Sequence, residues 1–191
     1  FAPDQTYAAD GAPEAVAIAD LDGDLDLDLT ITNRGGNSVL IVLNRGDGGT
    51  DRRVTYPVGA APQAVEVFDV DGDDDLDIAV ANGDDGTVTI MRNKGDGSFP
   101  VSSTFGVGSD PASIAAADLD GDDDSDLVVA IRGGGYVRLI PNDGTGTYGT
   151  GVGFLTAGPP RVVRTADLDG DLDVDVVVGT STGQISAIWN I

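Results

Sequence analysis

The chain contains no cysteine and no histidine, so disulfides, thiol chemistry and imidazole-based catalysis or metal binding are excluded. Aromatic residues make up only 5% of the sequence, which leaves few ring platforms for stacked ligands. Basic residues number 10 against 33 acidic ones, giving a net charge of −23. Because phosphate binding requires a basic patch, this balance argues against nucleic-acid binding, and no nucleic-acid partner is expected. No apolar run reaches the ~18 residues that span a bilayer, so no membrane span is predicted.

The acidic residues are concentrated in one motif that occurs four times, 49 residues apart. It reads DLDGDLDLD from Asp20, DVDGDDDLD from Asp69, DLDGDDDSD from Asp118 and DLDGDLDVD from Asp167. Each nine-residue run holds five or six aspartates, so the charge is patterned and does not form a disordered acidic tail. A fixed period of this length indicates a repeat architecture.

Short β-type segments lie between the acidic runs and the turns. The first repeat gives segments at residues 15–19, 27–32, 39–43 and 53–58, rich in Val, Ile and Thr. Four short strands per repeat are typical of a propeller blade, and the small residues of the first strand suit a crowded inner ring. The sequence therefore predicts an all-β, four-bladed β-propeller of four-stranded antiparallel blades. Another all-β solenoid with the same period is the alternative.

The phase of the repeats predicts how the ring closes. Phe1 has the register of Phe99 and Tyr148, so residues 1–8 are expected to supply the outer strand of the last blade and to cover its edge. We expect a single domain over residues 1–191, with repeats at 9–58, 59–107, 108–156, and 157–191 together with 1–8. The alternative is that this strand adds to a neighbouring molecule, which would give swapped oligomers or a filament. The absence of an initiator methionine leads us to expect a mature or excised portion of a longer protein.

The acidic run has the composition of a metal site. Carboxylates at positions one, three, five and nine can converge on one ion, and position seven can contribute its backbone carbonyl. Calcium accepts six to eight oxygen ligands, so such a set is sufficient. An EF-hand is excluded, because its twelfth position requires glutamate and is occupied here by residues inside strands: Ile31, Val80, Val129 and Val178. Magnesium and an ion-free acidic turn are the alternatives.

Asp-x-Asp-x-Asp-x-x-x-Asp between two strands of a blade resembles the FG-GAP/VCBS repeat of integrin α chains, bacterial surface proteins and some fungal lectins. The stretches Gly11-Ala12-Pro13 and Gly59-Ala60-Ala61-Pro62 are similar to part of the motif that names the family. The resemblance implies four Ca²⁺ sites, one per repeat. The implied carboxylate ligands are Asp20, Asp22, Asp24 and Asp28; Asp69, Asp71, Asp73 and Asp77; Asp118, Asp120, Asp122 and Asp126; and Asp167, Asp169, Asp171 and Asp175. The implied carbonyl ligands are those of Asp26, Asp75, Asp124 and Asp173.

One departure from the family pattern concerns position six. Many members carry glycine there, whereas this chain has Leu25, Asp74, Asp123 and Leu172. A left-handed turn at this position is therefore expected to be strained.

These features predict a non-catalytic, calcium-stabilised extracellular propeller that acts in adhesion, surface assembly or scaffolding. The extracellular location rests on the millimolar calcium found there. A lectin and a subunit of a strand-swapped or tandem filament are the alternatives; an enzyme is disfavoured because His and Cys are missing. A protein or glycan partner is expected at the loops between second and third strands, at residues 33–37, 82–86, 132–135 and 180–183, and self-association is a further expectation.

Four smaller features of the sequence also lead to expectations. Arg45-Gly46-Asp47 is interpreted as a variant of the turn that reads Asn93-Lys94-Gly95-Asp96 one repeat later. Glu66 and Arg164 share one register two blades apart, and we expect them to pair near the axis, with two separately hydrated side chains as the alternative. Trp189, Phe68 and Phe154 are expected to pack between blades. Tyr136 is a candidate exposed ligand contact.

Overall fold

A computed structural model describes residues 6, 8–9, 11–47 and 49–191 of the chain. Over these residues the chain forms antiparallel strands and one short 3-10 turn at Arg34–Gly36. The part of the chain that the structure describes contains no helix with the length and apolarity needed to cross a membrane.

The strands form four consecutive sheets, which we call blades one to four. Blade one consists of β1 (Pro13–Ala19), β2 (Asp28–Asn33), β3 (Ser38–Asn44) and β4 (Thr50–Pro57). Blade two consists of β5 (Pro62–Phe68), β6 (Asp77–Asn82), β7 (Thr87–Arg92) and β8 (Val101–Gly106). Blade three consists of β9 (Pro111–Ala117), β10 (Asp126–Ile131), β11 (Tyr136–Ile140) and β12 (Val152–Leu155). Blade four consists, in the described residues, of β13 (Pro160–Ala166), β14 (Asp175–Thr180) and β15 (Ile185–Ile188).

Each sheet is a meander in which every strand pairs with the next one along the chain. The first strands of successive blades pack against one another, β1 with β5, β5 with β9 and β9 with β13, so they form the inner side of the arrangement. This confirms the predicted all-β fold of four repeated antiparallel blades, with strands ordered from the inside to the rim.

The apolar core lies between the blades. Val39 and Ile41 of blade one pack with Ile78 and Met91 of blade two, and Ile90 of blade two packs in the next cluster. The third cluster joins blades three and four. Two aromatic pairs span the outer ends of the first two interfaces: Tyr56 with Phe99, with ring centroids 5.7 Å apart, and Phe105 with Tyr148, 5.3 Å apart. Since each blade shares its core with its neighbours, burial at any blade depends on the blade beside it.

The packing of the described residues does not close the ring between blades four and one. The described residues of β13 and β1 do not pack together as the other inner strands do. The predicted contribution of residues 1–8 to blade four falls almost wholly outside the described residues, which include only Thr6 and Ala8 of that stretch. The Ala8 carbonyl accepts a hydrogen bond from Arg53 Nη2 of β4 at 2.6 Å. Closure by this stretch therefore stays a prediction, as do the repeat boundaries.

Candidate metal centre

The four acidic runs occupy equivalent turns, each joining the first and second strands of its blade. Position one organises the turn: Asp20 Oδ1 accepts from Gly23 N at 2.9 Å and Asp20 Oδ2 from Leu25 N at 2.9 Å. The same pair of bonds recurs at Asp69, Asp118 and Asp167. The acidic turn therefore has the same backbone hydrogen bonds to position one in all four blades.

Position six has a left-handed backbone in every blade, as the sequence analysis expected. The φ angles are 73° at Leu25, 69° at Asp74, 70° at Asp123 and 80° at Leu172. A residue with a Cβ costs roughly 1–2 kcal/mol in this region. The hydrogen bond from the position-six amide to the position-one carboxylate offsets part of that cost.

Position nine holds a buried carboxylate. Asp28, Asp77, Asp126 and Asp175 are all buried at the start of the second strand. In blade two, Asp77 Oδ2 accepts from Val70 N at 3.1 Å, and Asp77 Oδ1 accepts from Asn93 N at 2.7 Å. Burial raises the pKa of Asp77 to about 6 despite these two bonds, and burial also raises the pKa of Asp28 and Asp126. A buried carboxylate without a cation is costly, so the position favours a bound positive charge.

Carboxylate oxygens of three positions come within 4.8 Å of one another in each blade. In blades one, two and four these are positions one, three and nine; in blade three they are positions one, three and five. The groups are Asp20, Asp22 and Asp28; Asp69, Asp71 and Asp77; Asp118, Asp120 and Asp122; and Asp167, Asp169 and Asp175. The structure thus brings together most of the carboxylates that the sequence predicted as ligands.

In blades one and two, position three has a buried carboxylate oxygen without a hydrogen-bond partner in the described structure. Asp22 Oδ1 and Asp71 Oδ1 are buried and have no hydrogen-bond partner among the described residues. Burial, the charge of Asp28 and the charge of Asp24 raise the pKa of Asp22. A donor set made only of oxygens, with unpartnered buried members, fits a hard divalent cation.

Positions five and seven behave differently from the converging carboxylates. The position-five carboxylates Asp24, Asp73, Asp122 and Asp171 accept a hydrogen bond from the amide of position seven at 2.8–3.0 Å. At position seven the side chain lies over the turn between third and fourth strands, where a Cβ on Gly46 would overlap the Asp26 carboxylate. Asp75 over Gly95 and Asp124 over Gly144 repeat this arrangement. Position seven was predicted to bind the ion through its backbone carbonyl, and a side chain that lies over the neighbouring turn is compatible with that role.

Sequence reasoning missed the role of the asparagine that follows each third strand. Asn93 Nδ2 donates to Leu21 O of the preceding blade at 2.8 Å and to Leu76 O of its own blade at 3.0 Å. Asn142 Nδ2 binds Val70 O, and Asn190 Nδ2 binds Leu119 O, both at 2.8 Å. The asparagine therefore joins the acidic turns of adjacent blades, and its fixed spacing from each acidic run was the available signal.

Asn190 was not recognised as the fourth member because it comes one residue early. Asn142 N binds Asp126 Oδ1 across 16 positions, whereas Asn190 N binds Asp175 Oδ1 across 15. The β14–β15 hairpin is one residue shorter than its counterparts: Gly179 pairs with Ile185, whereas Ala130 pairs with Val137. A strict 49-residue period cannot reveal this deletion.

Blade two has one feature that its neighbours lack. Arg92 Nη1 forms an ion pair with Asp71 Oδ2 at 2.7 Å, and Arg92 Nη2 donates to Thr145 O of blade three at 2.5 Å. The other Asp71 oxygen remains without a partner in the described structure. The arginine thus orients this position-three carboxylate from the rim side.

The smaller predictions have mixed outcomes. Arg45-Gly46-Asp47 lies in a turn in which Asn44 Oδ1 accepts from Arg45 N and Gly46 N, the same pattern that Asn93 makes with Lys94 and Gly95. Burial raises the pKa of Glu66 and nearby Arg164 lowers it, but across the described chain the two groups do not reach the 4.0 Å of an ion pair.

The predicted aromatic residues lie at two blade junctions. Phe68 packs against the core between blades two and three. Phe154 and Trp189 line one cavity where blades three and four meet, beside Leu119 and Leu139, and are 38% and 54% exposed. Tyr136, a candidate ligand contact, packs at the edge of the core between blades two and three. The exposure of the first two residues follows from their position beside blade four.

Four consecutive antiparallel sheets that pack through their first strands and carry one acidic turn each define a repeat protein of the β-propeller class. The model of the FG-GAP-like repeat matches residues 20–80, 69–129 and 120–178. The chain therefore belongs to the FG-GAP-like repeat family. No curated protein matches it significantly.

Three solved structures show the same fold at low sequence identity. BBS1N in a complex with ARL6DN has a TM-score of 0.66 and 15% identity, with 95% of this chain and 56% of that chain covered. The V. cholerae biofilm matrix protein Bap1 has a TM-score of 0.60 and 19% identity, covering 94% and 26%. An Agrocybe aegerita lectin that recognises non-reducing terminal N-acetylglucosamine has a TM-score of 0.58 and 22% identity, covering 91% and 51%. The chain thus spans about half or less of the length of these structures.

Proposed function

We propose that the chain is a non-catalytic, calcium-stabilised, extracellular β-propeller module that binds other macromolecules in adhesion, surface assembly or scaffolding. The observation that carries the proposal is the cluster of converging carboxylates in each blade, with position-three oxygens that are buried and unpartnered in blades one and two. Each blade has one such cluster, in the turn between its first and second strands.

Calcium suits these clusters better than magnesium. Calcium accepts six to eight oxygens at about 2.3–2.6 Å, whereas magnesium requires a near-ideal octahedron and retains several waters. Carboxylates at positions one, three, five and nine would hold the ion, with the carbonyl of position seven. The bound cation would neutralise oxygens that otherwise repel one another within 4.8 Å.

The role of the ion would be structural. The position-nine carboxylate connects the acidic turn to the asparagine of its own blade, and that asparagine binds the acidic turn of the preceding blade. An ion held by positions one, three and nine would therefore stiffen both the turn and the junction between blades. Because binding to the folded state alone stabilises by mass action, a hundredfold excess over Kd contributes about 2.7 kcal/mol per site.

Non-catalytic binding is supported by composition and by the fold. With no His or Cys in the sequence, the familiar nucleophile and base pairs cannot be assembled. Related folds occur in a complex with a protein partner and in a lectin specific for N-acetylglucosamine, so protein and glycan partners both suit the architecture. The loops opposite the acidic turns are the expected contact surface, and an extracellular setting would keep the calcium sites filled.

Calcium binding is tested by thermal unfolding and calorimetric titration of the whole chain. We expect Tm to rise with CaCl₂ above its value in a chelator, and a smaller rise with MgCl₂. A Tm that is the same in calcium and in excess chelator would overturn the proposal.

Two isosteric variants of one acidic turn provide the matched control. Asp22→Asn and Asp26→Asn each remove one negative charge from the same turn, but only the Asp22 carboxylate joins the converging group. We expect Asp22→Asn to remove one site from the titration and Asp26→Asn to retain it. Equal losses in both variants would show that net charge, and not coordination, governs binding.

A further inference from the structure

In the part of the chain that the structure describes, the outward sides of blade four and blade one carry exposed apolar side chains. We call the side of blade four that points away from blade three the forward face; its exposed members include Ile185 (81% exposed) and Leu168. We call the side of blade one that points away from blade two the backward face; on its inner strand Val16 (59%) and Ile18 (60%) are exposed, whereas Leu40 and Val42 of β3 on the same face are buried. Exposed apolar side chains grouped on a sheet face indicate an interaction surface.

The forward face is equivalent to the faces that form the internal blade junctions. Ile185 pairs with Gly179 as Val39 pairs with Thr32, Val88 with Ala81, and Val137 with Ala130. These three valines are fully buried against the next blade. Leu168 likewise has the register of the buried Leu21 and Val70. Blade four therefore presents the surface that every other blade uses to bind the blade after it.

The backward face is the complementary half of the same junction. Val16 has the register of Ile114 and Val163, which are 2% and 0% exposed where blades three and four meet their preceding blades. Blade one thus presents the surface that a preceding blade would cover.

The hydrogen bond that joins adjacent blades also lacks its donor or its acceptor on the two outward faces. Each internal junction has one bond of 2.8 Å from an asparagine Nδ2 to the carbonyl of the second residue of the preceding acidic run. The equivalent acceptor on blade four is Leu168 O, and the equivalent donor on blade one is Asn44 Nδ2. Within the described ranges neither atom has a hydrogen-bond partner.

We propose that the forward face of blade four binds the backward face of blade one of a second copy of the chain, head to tail. The contact would repeat the internal junction: Ile185 would pack beside Val16, and Asn44 Nδ2 would donate to Leu168 O of the other copy. Such a contact is heterologous, so it closes a ring when the rotation permits and otherwise continues as a filament. Two copies that close give eight blades, within the range of propellers.

Net charge sets the conditions of the test. Two copies of a chain with a charge of −23 repel each other, so association should strengthen with salt and with calcium. We would measure the mass of the 19.4 kDa chain by analytical ultracentrifugation over a wide concentration range in calcium-containing buffer at about 0.15 M salt, where the Debye length is about 8 Å. The expected result is a concentration-dependent dimer or longer assembly; a monomer at every concentration overturns the proposal.

Charge substitutions distinguish head-to-tail binding from other modes of association. Ile185→Asp and Val16→Asp should each shift the protein to monomer, because each places a charge in an apolar junction. An equimolar mixture should recover heterodimers, since the Val16→Asp copy retains an intact forward face and the Ile185→Asp copy an intact backward face. A mixture that stays monomeric overturns the head-to-tail arrangement.

Leu155→Asp is the control for the change itself. Leu155 is exposed on β12 of blade three, away from both faces, so this variant should assemble as the unmodified chain does. Thermal unfolding of all three variants should give similar Tm values under monomeric conditions, which shows that the fold is retained. Assembly by Ile185→Asp at the level of the unmodified chain would contradict the assignment of the forward face.

Discussion

The internal blade junctions and the two outer faces are built from the same repeat positions but differ in what covers them. Val88 is fully buried between blades two and three, whereas its counterpart Ile185 is largely exposed on blade four. The side chain is apolar in both places, so the difference comes from the neighbouring blade and not from local sequence. In a repeat protein, the stability that an apolar side chain contributes thus depends on whether a neighbouring blade buries it. The stability of the first or last blade therefore depends on what covers its outward face.

The largest expected contrast comes from truncating one apolar side chain in each region. Ile90→Ala should destabilise the folded chain by about 2–5 kcal/mol, because it leaves a cavity in the core between blades two and three. Ile185→Ala should change the free energy of unfolding of the monomer by less than about 0.5 kcal/mol, since the side chain is exposed. Denaturant unfolding of both variants at low protein concentration is the measurement. Similar losses would show that blade four is covered in solution even in the monomer.

The asparagine that joins adjacent acidic turns allows the same comparison between a blade junction and an outward face, now for a hydrogen bond. Asn93 Nδ2 binds Leu21 O and Leu76 O, whereas the side chain of Asn44 has, among the described residues, just the two bonds that its Oδ1 accepts from its own turn. Asn93→Ala should therefore cost more than Asn44→Ala, by about 1–3 kcal/mol for the carbonyls left unpaired. The two values should converge if the chain assembles head to tail, because Asn44 would then acquire its acceptor. Unfolding measured below and above the assembly concentration tests this directly.

The sequence was sufficient for the repeated features and insufficient for the junctions. Position one, three and nine aspartates such as Asp69, Asp71 and Asp77 could be predicted because their spacing places oxygens on one side of a tight turn. The position-six strain could be predicted from the missing glycine. The exposure of Trp189 and the burial of Tyr136 could not, because both depend on which blade lies alongside, and a repeat period carries no information on that point.

The smallest expected effect concerns a polar link between blades two and three. Arg132 Nε binds Asp110 Oδ2 at 2.7 Å, and Gln63 Nε2 donates to Asp110 Oδ1 at 2.9 Å. The hydrogen bond from Arg132 holds the pKa of Asp110 below its ordinary value. A lowered pKa in the folded state means that this link stabilises the chain above the unfolded pKa of about 3.9 and that the stabilisation is lost as pH falls through the folded value.

Asp110→Asn isolates that pH dependence. Asparagine tolerates the left-handed backbone at this position, where φ is 58°, so the substitution removes charge with little added strain. Since the ion pair is partly exposed, the loss of stability at neutral pH should be below about 1 kcal/mol. The difference in the free energy of unfolding between the variant and the unmodified chain should shrink as pH falls from 5 toward 3. Titration of the acidic turns affects both chains equally, so it should not contribute to this difference. A difference that stays constant over this range would mean that shape and hydrogen bonding, rather than the charge of Asp110, account for the stability of this link.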